Sequence, residues 1–441
     1  MTAHRIVRNY FIISGFYTLS ASLIWGVNTL FLLDAGLDIF QVFLVNAVFS
    51  VGATIFEIPT GVLADTRGRR ASFLISTVTL ALGTLGYVAA AGVQAKLLFF
   101  ILTSLVLGLS FTFYSGAVEA WFVDALKATG FDGPLDQFFA RGSMVTGAAM
   151  LIGTVSGGVM GDIDLSIPYL IRAMFLILVF VFAYFNMHDM GFQPRTTSLK
   201  ALPGEMKAVA QASLQFGWRT SSVRLLIIVG FIQMGFLSWG FYAWQPYFLE
   251  LIGKEAVWVA GVYAALISLA TMGGNTLVDY FTRFCGKRTT LLLWAAGIGA
   301  LGTIGVGLAG SFWLAGGFFL VTMVTLGVLT PVKQAYIHQV IPSEQRAAIV
   351  SLDSMAGSAG GVLAQTSLGY LSQASSIASG YVVGGLVQLI MIPFLTRLRR
   401  LGEPADLIIG KAGVGGTCAA QGIPTISGLD SLTIPATGST D

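Results

Sequence analysis

The chain is 441 residues long, 55% hydrophobic and only 10% charged, with a mean hydropathy of +0.80. One soluble core cannot hide that much apolar surface, so the composition excludes an ordinary globular enzyme and makes lipid the solvent for most of the chain. A net charge of +3 gives no reason to expect nucleic acid as a partner.

Twelve apolar runs approach or exceed the roughly 20 residues that a membrane-spanning helix needs. Spans 1–6 are 9–33, 39–62, 71–92, 97–122, 141–161 and 168–187. Spans 7–12 are 225–249, 257–278, 289–309, 312–341, 346–371 and 378–396. Most of the 54 glycines lie inside these runs, where small residues let helix backbones approach. His4, Arg5 and Arg8 precede a first run of full spanning length, which reads as a retained helix and not a cleaved leader. The expected division is a six-helix bundle over 1–188, a polar linker over 189–223, a second bundle over 224–400 and a disordered cytoplasmic tail over 401–441. Within the linker, 204–217 reads as a short amphipathic helix on the membrane surface.

Positive charge sets the orientation. With both termini in the cytoplasm, every Lys and Arg except Lys96, Arg172 and Lys254 falls on the inner side. Asp34, Asp38, Asp162, Asp164, Glu250 and Glu255 decorate the outer loops. Arg172, near the outer start of span 6, is expected to snorkel toward the headgroups. Cys285 and Cys418 fall on the cytoplasmic side, so a structural disulfide is not expected.

Spans 2 and 3 are joined by Gly61-Val-Leu-Ala-Asp65-Thr-Arg67-Gly68-Arg69-Arg70, with Glu57-Ile-Pro-Thr60 leading into it. Gly61, Thr66 and Gly68 are expected to make a tight reversal, and the three arginines hold it out of the hydrocarbon. In this position the pattern resembles the loop between helices 2 and 3 of the major facilitator superfamily of transporters. The resemblance implies an all-α membrane protein of twelve helices in two pseudo-symmetric six-helix bundles, with a substrate cavity between them. It also implies that helices 1, 4, 7 and 10 face the cavity, and that Asp65 docks near the N-terminus of helix 11, around Ser343–Arg346, when the cavity opens outward.

An internal repeat agrees with two bundles. Leu277-Val-Asp279 and Gly286-Lys287-Arg288 echo the loop from Leu63 to Arg70. Residues 116–124 of span 4 align with 330–338 of span 10, which makes Glu119 the counterpart of Lys333. Arg141 opens span 5 as Arg346 opens span 11.

Charge inside a membrane is costly, and is usually paired or functional. Glu57 is either a member of an ion pair at the gate or a titrating coupling group. Glu119 and Lys333 either meet across the cavity floor when the cytoplasmic side closes and separate when it opens, or pair within their own halves, Glu119 with Arg141 and Lys333 with Asp353. The expected cavity lining is Trp25 and Asn28 from span 1, then Phe111, Phe113 and Tyr114 from span 4. Span 7 adds Gln233, Trp239, Tyr242, Trp244 and Gln245. Such a surface suits a lipophilic or amphipathic solute; the competing reading packs these aromatics between helices. Two departures from drug/proton antiporters weaken that subgroup. Ser104 stands where they carry an arginine, and Gly153-Thr-Val-Ser-Gly157-Gly158 lacks their proline.

His4, His188 and His338 are scattered, and no metal-ligand spacing or nucleophile motif is present, so neither an enzyme nor a metal site is expected. The expectation is proton-coupled export of a small solute by alternating access in a bacterial inner or plasma membrane. Its partners would be that solute, protons and lipid; the chain would act as a monomer, with no cofactor beyond the proton gradient. Proton-coupled import of a small metabolite and a transport-inactive receptor or scaffold are the alternatives.

Overall fold

In lipid each backbone polar group must be satisfied within its own segment, so apolar runs of this length fold as helices. The computed structural model describes residues 1–93, 96–194, 204, 217–253, 257–341 and 346–408, with backbone only for 346–348. The first half comprises α1 (Ala3–Ser22), α2 (Asn28–Asp34), α3 (Ile39–Arg67), α4 (Arg69–Ala90), α5 (Lys96–Tyr114), α6 (Ala117–Lys127), α7 (Asp136–Ile163) and α8 (Ile167–Asn186). The second comprises α9 (Ser221–Ile252), α10 (Val257–Thr282), α11 (Arg288–Leu308), α12 (Phe312–Val340), α13 (Arg346–Ala374), α14 (Ile377–Leu389) and α15 (Met391–Arg400). Spans 1, 4 and 12 are helix pairs, and every other span is one helix.

Ten rods among the described residues are long and apolar enough to cross a membrane. The remaining two are α1/α2, broken in the middle, and α13, whose 29 residues are rich in serine and glycine. Met1–Ile408 packs as one compact unit.

Several boundaries differ from expectation, each for a local reason. Span 1 breaks at Leu23–Val27, where the chain turns in short steps such as Trp25 N to Ser22 O at 3.1 Å. Span 4 breaks at Gly116, whose φ of 71° is left-handed and favours glycine. Helix α3 runs through Gly61 and Thr66, with the Thr66 hydroxyl donating to Val62 O at 2.9 Å. The reversal is therefore made at Gly68 alone, with φ at 103°. The tail expected to be disordered from 401 is ordered through Ile408. Asp406 accepts from Thr289 N at 2.8 Å and from the Thr289 hydroxyl at 2.9 Å, capping the start of α11 where free amides favour negative charge. Residues 409–441 and nearly all of the expected surface helix at 204–217 lie outside the described residues.

Glycines set the helix crossings, and the crossings repeat. A Cβ on Gly108 of span 4 would stand 3.1 Å from the Gly52 Cα of span 2, and one on Gly327 of span 10 would stand 3.0 Å from the Gly274 Cα of span 8. Likewise Gly157 of span 5 lies against the Leu23 carbonyl of span 1, as Gly360 of span 11 lies against the Phe231 carbonyl of span 7. Equivalent helices of the two halves therefore cross through equivalent close contacts.

Candidate functional site

The ends of the bundle are named by their loops: acidic where Asp34, Asp38, Asp162 and Asp164 lie, basic where Arg67–Arg70 lie. At the acidic end three seams join the halves. In the first, the break in span 1 frees backbone groups that lipid cannot solvate, and one glutamine takes up two of them. Gln245 Oε1 accepts from Thr29 N at 2.9 Å, and its Nε2 donates to Trp25 O at 2.8 Å. The Thr29 hydroxyl donates to Tyr242 O at 3.0 Å. In the second, Ile39 N donates to Gln373 Oε1 at 3.1 Å, and Phe43 stacks on Trp239 with centroids 5.8 Å apart. The third is backbone against backbone. A Cβ on Gly158 of span 5 would stand 2.6 Å from the Gly261 Cα of span 8, and one on Gly26 of span 1 would stand 3.2 Å from that same atom.

Beneath the seams the facing surfaces turn polar. Asn46, Ser50, Thr54, Glu57 and Gly61 fall on one face of α3, the face that carries Phe43 into the second half. Ser351, Ser354 and Ser358 share a face of α13 with Gly369, which meets Phe43. Glu57 and Ser354 are exposed there. Glu57 has no ion-pair partner among the described residues.

The charged groups divide sharply. Lys333, only 6% exposed, donates to both oxygens of Asp353 at 2.8 and 2.9 Å. The pair fits under Gly230 of span 7, where an added Cβ would collide with Lys333 Nζ. Of the two pairings expected for Lys333, the one within its own half is the one formed. In this state, sealed at the acidic end, Lys333 is bonded to Asp353 and not to Glu119; the meeting across the cavity floor is expected only when the cytoplasmic side closes. Nor does Glu119 pair with Arg141, whose side chain is exposed. Glu119 sits instead in the first turn of α6, behind the Gly116 break, and its charge acts on Tyr10, Tyr17 and Tyr114.

Arg172 does not snorkel. Its guanidinium points inward, acting on the hydroxyls of Tyr17, Tyr87, Tyr169 and Tyr242, from spans 1, 3, 6 and 7. Its Nε is shut off from solvent without an acceptor, and no carboxylate among the described residues lies within ion-pair distance.

The expected lining residues also divide. Trp239 is fully buried against Phe43, Phe236 and Tyr381, so it packs the helices and does not line the cavity. Gln245 and Trp244 are buried as well, the former as the latch of the first seam. Asn28 bonds Asn46 at 3.1 Å and accepts from the Tyr169 hydroxyl at 2.9 Å. Gln233 donates to the Thr330 hydroxyl at 3.2 Å. Tyr114 is half-buried and stacks on Tyr17 at 3.6 Å; Trp25, Phe113 and Tyr242 are also half-buried, and Phe111 is exposed. A cavity of about 340 Å³ opens beside span 7, lined by Phe236, Phe241, Trp244, Met272 and Phe319.

At the basic end Asp65 pairs with Arg69 at 2.6 Å. Arg70 donates from its amide to Asp189 Oδ1 at 2.9 Å and from its guanidinium to Tyr184 O at 2.7 Å, with the Tyr184 ring 5.1 Å below. Arg67 is exposed. A Cβ on Gly68 would collide with Asp189 Oδ2, so space as well as φ favours glycine. Partial desolvation of its otherwise exposed side chain pushes the Asp189 carboxyl above its usual range, and the Arg70 amide and charge offset part of that. The expected docking place of Asp65, Ser343–Gln345, lies outside the described residues, as does the Arg346 side chain.

Residues 10–287 match the Major Facilitator Superfamily. The chain belongs to the major facilitator superfamily. It is 22% identical over 396 residues to the uncharacterized MFS-type transporter YxaM of Bacillus subtilis (strain 168), covering 85% of this chain and 91% of that protein. The crystal structure of the nucleoside transporter NupG superposes with a TM-score of 0.73 at 11% identity, covering 90% of this chain and 99% of that one. A POT family transporter in complex with 5-aminolevulinic acid superposes with a TM-score of 0.67 at 14% identity, covering 89% and 96%. At such identities the superpositions speak for the fold. Within this superfamily fold, the roles of Gly230, Gly261 and Arg172 were the least visible in the sequence. Each depends on a neighbour from another span, and only the lone charge of Arg172 within an apolar run could have signalled one.

Proposed function

We propose that this membrane transporter is a proton-coupled carrier that exports a small amphipathic solute across a bacterial inner membrane by alternating access. The positive-inside rule makes the basic end cytoplasmic, with both termini there. The observation that carries the reading is the acidic-end seal, made of one glutamine latch, one aromatic stack and one glycine contact, above facing surfaces that are polar and accessible. Such a seal is thin enough to part and reform without unfolding either half. Glu57 and Glu119, carboxylates outside any ion pair among the described residues, are the groups available to carry the proton. The chain acts as a monomer and needs no cofactor beyond the gradient.

Purified protein in proteoliposomes, with a fluorescent amphipathic probe and an imposed pH gradient, tests this reading. Flux that follows the gradient and disappears in Glu119→Gln is expected. Flux indifferent to the gradient would remove the coupling, and flux coupled in the opposite sense would make the protein an importer.

A further inference from the structure

Below the glycine seam spans 5 and 8 part. Their backbones touch at Gly158 and Gly261. From Gly261 down to Ile267 on α10 is roughly 9 Å, and from Gly158 back to Met150 on α7 roughly 12 Å, at 1.5 Å per residue. At that depth Ile267 and Met150 stand on opposite sides of the cavity of about 340 Å³. Met150 closes it from the first half, and its other walls belong to spans 7, 8 and 10 of the second. The chamber is therefore a wedge between the halves, directly beneath a contact that holds them together.

The walls decide what chemistry fits. None of the described residues that line the chamber is charged. The hydroxyls of Ser268 and Thr271 donate to Ala264 O at 3.0 Å and Ile267 O at 2.9 Å, carbonyls of their own helix. An ionised group entering would lose its hydration and meet no counter-charge. Phe241, Trp244 and Phe319 offer ring faces instead, and Met150, Met272 and Met323 offer thioethers. Such thioethers make favourable contacts with aromatic rings and adapt to the ring they meet.

We propose that this wedge binds an uncharged aromatic solute, a fused bicyclic ring in size, held by the second half and touched from the first by Met150. Its volume is near the lower end of small-molecule sites, which suits such a ring. A small polar substituent, such as a hydroxyl, completes the amphipathic character without adding charge. This inference rests on the carrier reading and narrows its solute from amphipathic to uncharged and aromatic.

The test is equilibrium binding, which needs no flux. The purified full chain in a neutral detergent at pH 7 is titrated calorimetrically with 2-naphthol, 2-naphthoate, 2-naphthylmethylammonium and 1-octanol. The naphthol should bind at least roughly tenfold more tightly than either ion, because each ion is desolvated without a partner. It should exceed the ringless alcohol roughly threefold, the margin that ring and sulfur contacts supply. Ser268→Phe fills the wedge from span 8 and should remove saturable naphthol binding, which also reads the background of the detergent. Met150→Ala should weaken that binding severalfold, and it decides alone should Ser268→Phe fail to fold. Either ion matching naphthol overturns the proposal, and so does octanol matching it. Naphthol affinity unchanged in folded Met150→Ala overturns it too. Should no solute follow a gradient while the naphthol preference stands, the carrier reading falls and the site remains. Should gradient-driven flux appear while ions bind as well as naphthol, the site falls and the carrier reading remains.

Discussion

In the second half, Lys333 and Asp353 close a two-bonded ion pair beneath Gly230. In the first half, the repeat puts Glu119 where Lys333 stands, and Glu119 meets no cation among the described residues. Arg172 and Glu57 are also left without ion partners among the described residues. The two halves share their helix crossings and differ in how they handle charge. A paired, buried charge holds α12 to α13 and is not available to a ligand. An unpaired charge near the inter-half space keeps its bonding capacity for something that arrives and leaves. The comparison therefore finds the buried ion pair in one half and, in the other, charged groups without an ion partner among the described residues.

The largest expected effect tests that division directly. Asp353→Asn leaves the Lys333 charge buried without its counter-ion and should cost about 3–5 kcal/mol in denaturant or thermal unfolding. Replacing both partners, Lys333→Met with Asp353→Leu, should recover most of that loss. Glu119→Gln should cost under about 1 kcal/mol, because no bond is broken, while abolishing gradient-driven flux. Equal stability losses at Asp353 and Glu119 would erase the distinction between the halves.

Much of the fold was legible in the sequence, and the reasons show what was not. Hydropathy places spans because each must satisfy lipid on its own, so ten of the rods meet the length and composition a span needs. The breaks at Leu23–Val27 and Gly116 escaped because neither carries a proline, and each depends on what faces it. Span 1 breaks where Gln245 of span 7 can take the freed groups, and no local pattern reports a partner 220 residues away. The Lys333–Asp353 pairing was legible because both residues stand at similar distances from one loop. Arg172 was misread for the opposite reason. Its depth suggested snorkelling, and only the tertiary fold brings tyrosines of spans 1, 3 and 7 around it. Likewise Trp239 and Gln245 had the composition of a cavity lining but became packing and latch.

The next effect concerns the seam that the two halves make together. Gly158→Val puts a branched side chain where a single Cβ already stands 2.6 Å from Gly261 Cα and 3.2 Å from Trp258 O. Backbone cannot move aside as a side-chain tip does, so the acidic end should part at a cost of about 1–3 kcal/mol to the sealed state. Cysteine probes placed at Ser50 or Ser358 should then label faster from the acidic side. Gly147→Val on the same span, where nothing lies within 4 Å, should leave labelling unchanged. Unaltered labelling in Gly158→Val would mean that the glycine contact does not hold the seal.

The smallest effect separates the halves at the basic end, where each uses an aspartate placed after its last span to hold the start of its third. Asp406 caps Thr289 at the head of α11 and is 2% exposed, while Asp189 caps Arg70 in α4 and is exposed. Asp406→Ala should cost about 1–2 kcal/mol, the range for a lost helix cap. Asp189→Asn should change stability by less than about 1 kcal/mol, because solvent screens the site. Its signature is instead a slope with pH. The Asp189 carboxyl is raised above its ordinary value, so the folded state binds its proton more tightly than the unfolded chain does. The stability this proton contributes is fully present below the ordinary aspartate range and is lost as pH rises through the raised value. A melting series from mildly acidic to neutral pH should therefore decline slightly in the unaltered chain, and the difference between it and Asp189→Asn should change across that window alone. A constant difference at every pH would mean that Asp189 acts through its bond to the Arg70 amide and not through its charge.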